Sequence, residues 1–188
     1  GSADIRRQLP DDTRRFEGID QNFKDLQKAA ITETNVVRAC NEDGRVELLT
    51  DMMKSLEMCQ KSLNEYLDMK KKIYPRFYFV STTALLDILS NGNNPPRIMS
   101  HFGDCYGALK TMVWDEASPE GSFIATGVLA QDGEALEFKD KFTISGSVEN
   151  WLNAFTDHLK RELSLTMDDA VAGGVHWEDP AEKSRHEW

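Results

Sequence analysis

One pair of side chains in this sequence has both the types and the spacing for acid–base work. His158 and Glu162 stand four residues apart in a strongly periodic stretch, which puts them on one face of a helix. A surface contact explains such a pair better than a metal ligand or general base. His101, His176 and His186 are scattered, and the neighbouring acids Asp168-Asp169 fall in an irregular stretch where solvation accounts for them. No Ser or Cys sits in a nucleophile elbow. A phosphate cradle needs glycines that let backbone amides approach the anion, and neither GxxxxGK[ST] nor GxGxxG occurs, so no cofactor is expected in this segment. Cys40, Cys59 and Cys105 are an odd, widely spaced set with no CxxC pair, which points to reduced, buried thiols, not to a zinc site or disulfide framework. Trp151 lies on an apolar helical stripe and reads as core, Trp114 invites a binding reading, and Trp177 and Trp188 read as side chains that lost their partners to truncation.

The elements that must position these residues are mostly helical. With 188 residues, 40% hydrophobic and 29% charged, the chain can bury a core without metals or disulfides. From Asp11, residues Phe16, Ile19, Phe23, Leu26 and Ala30 recur at three- and four-residue steps, with Pro10 and Asp11-Asp12 suited to a first turn. A short helix over 35–40 with Thr34 as cap follows, before Asn41 to Gly44 breaks the pattern. Between Arg45 and Lys72, the series Leu49, Met52, Leu56, Cys59, Leu63, Tyr66 and Lys70 predicts one long helix, which Pro75 ends. Phe77 to Val80 suits a buried, extended crossing, and Ser81 or Thr82 caps a helix carrying Leu85 to Leu89. Asn91, Gly92 and Pro95 mark a second break, after which Pro96 opens a helix through Ile98, Met99, Phe102, Tyr106 and Leu109. Over 112–144 the period changes. Two runs flank Gln131, Asp132, Gly133 and Glu134, a hairpin signal, and a helix from Val148 to about Ser164 precedes a weakly periodic tail. The predicted fold is mainly α: an elongated helical bundle segment with a long central helix and an inserted β-hairpin near 122–144, helical over 11–110 and 147–188.

A net charge of -10 and dispersed basic residues exclude nucleic acid as a natural partner, and no run approaches the ~20 apolar residues a spanning helix needs, so a membrane role is not expected. Gly1-Ser2 reads as a protease scar, and residues 3–188 as a cloned piece of a larger protein.

The stretch Cys59 to Ser81, continuing through Leu85-Leu86-Asp87-Ile88-Leu89-Ser90, closely resembles the linker of dynein heavy chains, with Pro75, Arg76, Phe77, Tyr78 and Phe79 as its most distinctive core. Residues Asp4 to Asp20 and Asn35 to Cys40 look like axonemal outer-arm chains, and Gly146 to Leu152 and Glu182 to Trp188 are similar to the family in the same order. The resemblance implies a non-catalytic mechanical linker. ATP and magnesium would belong to the AAA+ ring of the full chain, the ring and the remaining linker would be the partners, and microtubules and intermediate or light chains would be reached only through the full complex. It places the protein in the cytoplasm and cytoskeleton, in the axoneme of a cilium or flagellum. Bending is expected at a short break such as Asn41 to Gly44 or Asn91 to Pro96, and a ring contact at the tip 131–134. Two rivals remain: a static helical scaffold, and an enzyme with a polar pocket around His158.

Overall fold

The computed structural model of the chain describes residues 3–119 and 121–173. Its architecture is mainly α, with one small antiparallel sheet.

Helix α1 (Ala3–Gln8) leads into α2 (Pro10–Thr32), where proline occupies the first turn and Asp11 and Asp12 sit at the positive end of the helix dipole. The chain turns through α3 (Val36–Cys40). Its cap is Asn35, not Thr34, because the Asn35 side chain accepts from the backbone N–H of both Val37 and Arg38. Gly44, at φ 77, takes the left-handed conformation that starts α4 (Arg45–Ile73). Over those 29 residues no proline or glycine interrupts a series rich in Leu, Met, Glu and Lys, so the helix runs about 43 Å without a break.

Helices α2 and α4 pack antiparallel, with Cys59 Sγ donating to Asp12 O at 3.6 Å near one end of the pair, and Ile19 and Met52 are buried along it. Of the rest of the α2 stripe, Leu26 is half-buried and the two phenylalanines are largely uncovered. Phe16 and Phe23 are 53% and 50% exposed, and on α4 so are Leu49, Met53 and Leu56 in large part. From Ile19 and Met52 these side chains step to the same hand of each helix, and in an antiparallel pair the same hand is the same side. The arm therefore carries one continuous uncovered apolar face.

The core begins where α4 leaves the arm. Tyr66, Leu67, Tyr74, Phe77, Phe102, Trp151, Leu152 and Phe155 belong to a single buried cluster. Residues Pro75–Phe79 form a 3-10 turn, not the extended crossing that their aromatic content suggested. Proline fixes the first φ of such a turn, and only Phe77 of the three aromatics goes inside, while Phe79 stays 78% exposed. Ser81 Oγ accepts from Ala84 N and caps α5 (Thr82–Ser90). The single helix expected after Pro96 is divided into α6 (Pro95–Ile98), a 3-10 turn and α7 (Phe102–Tyr106). Gly107, at φ 65, ends α7, and Leu109 opens a strand.

Strands β1 (Leu109–Trp114), β2 (Ile124–Ala130) and β3 (Ala135–Thr143) pair antiparallel in the order β1-β2-β3. The hairpin read from Asp132-Gly133 is thus present, and a third strand extends it. Gly127 is required by close approach, since a Cβ there would stand 2.5 Å from Leu136 O of β3. Helix α8 (Val148–Gly173) packs against β3. It runs nine residues past Ser164, where the sequence pattern loses its apolar stripe, because helix needs no burial to continue once nucleated.

Candidate functional site

Four groups of residues carry the functional expectations, and the structure gives each a definite position. The first is the hairpin tip. Gln131, Asp132, Gly133 and Glu134 are all exposed. Gly133 takes φ 95, and Asp132 Oδ1 accepts from Glu134 N at 3.1 Å, a local turn that the Asp-Gly pair encodes. The base of the tip is tied down: Gln131 N donates to Ala108 O at 2.8 Å and Gln131 Nε2 donates to Gly107 O at 2.9 Å. What projects is a short, fixed turn carrying two carboxylates.

The second group is Pro75 to Phe79. Phe77 meets Tyr74 edge-on at 4.9 Å. Arg76 Nη1 donates to Cys105 O at 2.9 Å while its guanidinium sits 4.8 Å from the centre of the Tyr106 ring. Tyr106 Oη in turn contacts Thr156 Oγ1 at 2.8 Å. This turn therefore joins the end of α4 to α7 and α8. Burial pushes the Tyr106 hydroxyl far above its usual range, and burial, with Asp104, pushes the Cys105 thiol up to about 11. Both stay protonated as structural groups. Cys59 is half-buried, and Cys40, expected to be buried, is exposed on α3.

The breaks form the third group. Asn41 and Gly44 lie at the far end of the arm, between α3 and α4. Asn91 Nδ2 donates to Asp87 O, Pro95 is buried, and a Cβ on Gly92 would touch Val148 Cβ at 3.5 Å, so this second break is packed against the start of α8.

The fourth is His158 with Glu162, and here the expected surface contact is corrected. Both are buried, at 5% and 1% exposed. Rings of Phe138 and Phe142 stand 4.8 and 5.1 Å from the imidazole. The two phenylalanines, four positions apart, share one face of β3, and the strand covers the helix face that a lone amphipathic helix would have left wet. Glu162 Oε2 accepts from Lys139 N at 2.7 Å and so pins β3 to α8, and Lys139 Nζ adds an ion pair to Asp169 at 2.5 Å. Arg161 Nη2 lies 2.8 Å from His158 Nδ1; donation by the guanidinium requires the imidazole lone pair and therefore its neutral form. Burial holds the His158 pKa below 6.5, against the opposing pull of Glu162. Because the folded chain resists protonation, stability is retained above the unfolded value and falls as pH drops from about 6.5 through the lower folded pKa. The thermal midpoint of the wild-type chain should fall further between about pH 7.5 and pH 5 than that of His158→Gln, and parallel curves would refute the assignment. The packed rings leave the pair structural, and among the described residues no cluster of His, Cys, Asp or Glu could hold a metal.

Sequence reasoning missed the buried contact between Lys70 and Glu149, at 2.6 Å. Its signal was a lysine on an otherwise apolar stripe. His101, by contrast, makes a surface pair with Asp87, and Trp114 packs on Phe123. His176, His186, Trp177, Trp188 and the stretch Glu182 to Trp188 lie outside the described residues, and no described helix is long and apolar enough to cross a membrane.

A family model described as "Dynein heavy chain, N-terminal region 2" matches residues 1–170. The chain belongs to the dynein heavy chain family. It is 42% identical over 173 residues to the dynein beta chain of the flagellar outer arm of Chlamydomonas reinhardtii, covering 91% of its own length. It is 40% identical over 189 residues to dynein axonemal heavy chain 9 of Homo sapiens and 38% identical over 190 residues to the ciliary dynein beta chain of Tripneustes gratilla, in both cases over its whole length. It spans 4% of the length of each of these dynein relatives. The family match takes in the aromatic turn at Pro75 to Phe79, the sheet and nearly all of α8.

Proposed function

We propose that this chain is a non-catalytic mechanical segment, part of the linker, of an axonemal dynein heavy chain, and that it passes ATP-driven changes of the AAA+ ring on to movement along microtubules. The observation that carries this reading is the continuity of α4, whose first half forms the arm with α2 and whose last turns join the body, through Tyr66 and Leu67 in the core and Lys70 on Glu149. A helix shared by two parts conveys rotation without an intervening loop. The uncovered face of the arm supports a place within a larger assembly, since exposed apolar patches mark surfaces that meet other protein. The flagellar, ciliary and axonemal names of the relatives support the axoneme as its location.

In this reading the ring and the remaining linker are the partners, ATP and magnesium act in the ring, and microtubules and intermediate or light chains are met only through the full complex. The acidic tip 131–134 touches the ring in one nucleotide state, and the fixed base of that turn suits it to such a contact. A fluorophore at position 132 and another on the ring of the intact motor report on both points. Energy transfer that changes through the ATPase cycle is expected; constant transfer with working ATPase favours a static scaffold. Removal of residues 131–134 without effect on ring ATPase or gliding speed would sink the tip contact.

A further inference from the structure

The seam between the end of α4 and the start of α8 is polar, although the interior around it is apolar. Lys70 Nζ donates to Glu149 Oε1 at 2.6 Å across 79 positions of sequence, and the two side chains are 11% and 6% exposed. Asn153 Nδ2 donates to Ile73 O at 2.8 Å, taking up a carbonyl that the end of α4 would leave unpaired. Lys70 lies in the last turn of α4 and Glu149 in the first turn of α8, so each charge sits at the favourable pole of its own helix. Glu149 Oε2 is buried and accepts no hydrogen bond from the described residues. The Asn91 to Pro95 break closes around the same place, through the approach of Gly92 to Val148.

Apolar packing is non-directional and tolerates small rotations, whereas an ion pair and a side-chain-to-carbonyl bond have a direction. A desolvated pair also adds little stability over apolar replacement, and its best attested use is to fix register. We infer that Lys70 and Glu149 form a latch that fixes the direction in which α4, already anchored in the core through Tyr66 and Leu67, leaves the body, so that the α2–α4 arm changes its angle when this pair parts. The lever is long. From Lys70 to the start of α4 is about 38 Å, so a rotation of about ten degrees at the seam displaces the arm tip by about 7 Å. This is a property of the chain itself and can be measured whether or not the motor assignment holds.

The test is a spin-label distance distribution between exposed Cys40 on the arm and Asp157→Cys on α8, with Cys59 replaced by serine. The latched chain should give a single narrow distribution. In Lys70→Met/Glu149→Leu, which exchanges the pair for apolar side chains and keeps the volume, the width should at least double or the mean should shift by about 5 Å or more, as the lever arithmetic requires. A folded double variant whose width and mean match the parent overturns the latch. Should that variant lose cooperative melting, Glu149→Gln, which keeps a hydrogen-bond acceptor for Lys70 and removes the charge, is read in the same way: broadening supports the latch and an unchanged distribution refutes it.

Discussion

Replacing Phe155 by alanine is expected to cost about 3–5 kcal/mol of folding stability, the range for truncating a fully enclosed aromatic side chain. The side chain is 0% exposed. Its ring has neighbours from two elements: Phe102 at 5.6 Å and Tyr106 at 5.5 Å on α7, and Phe142 at 5.5 Å and Phe138 at 6.3 Å on β3. These partners come from separate elements, so collapse around the cavity would require α7 or the sheet to move. That places the effect toward the upper part of the range. Urea unfolding followed by circular dichroism provides the measurement, with Leu163→Ala as the comparison. Leu163 is on the same helix but 51% exposed, and its loss should change stability by less than about 0.5 kcal/mol. A Phe155→Ala midpoint close to that of Leu163→Ala would mean that the sheet and α8 do not share a core.

The elements with unbroken periodicity were legible in the sequence. α2, α4 and α8 each present an apolar stripe over several turns, and their starts follow from Pro10, Gly44 and the Ser145-Gly146-Ser147 break. The Asp132-Gly133 turn was legible for a different reason, since it rests on local backbone preference alone. What failed was whatever depended on the third dimension. Phe77, Tyr78 and Phe79 carry the hydrophobicity of a buried strand, yet a 3-10 turn buries one and exposes the other two. β1 was concealed because Leu109 continues a helical stripe in sequence, and only the positive φ of Gly107 breaks it. His158 and Glu162 were found as a pair and misjudged in depth, because the strand that covers them is distant in sequence.

The stripes also show why burial cannot be read from amphipathicity alone. Phe16 and Phe23 share a stripe with Ile19 and differ from it only by a partial turn, and α4 reaches just one edge of that stripe. Periodicity reports that an apolar face exists. Which neighbour covers it depends on protein that need not belong to the same short segment.

Lys70→Met alone should be among the most damaging single changes, at about 3–5 kcal/mol, whereas Lys70→Met/Glu149→Leu should be close to wild type or more stable. The asymmetry follows from solvation. The lone mutation leaves the Glu149 carboxylate at the core edge with Oε1 stripped of its partner and Oε2 already without one, so a charge taken from water has no compensation. The double change removes the charge together with its cost. Denaturant midpoints of the wild type, both single variants and the double variant form a cycle whose coupling should exceed about 2 kcal/mol. A small loss in Lys70→Met would show that water reaches Glu149 readily, and the seam would then be a wet surface contact. A large coupling has a mechanical meaning as well: a joint whose two charges are costly to separate one at a time resists partial opening, so an arm held by it favours two discrete angles over a continuum.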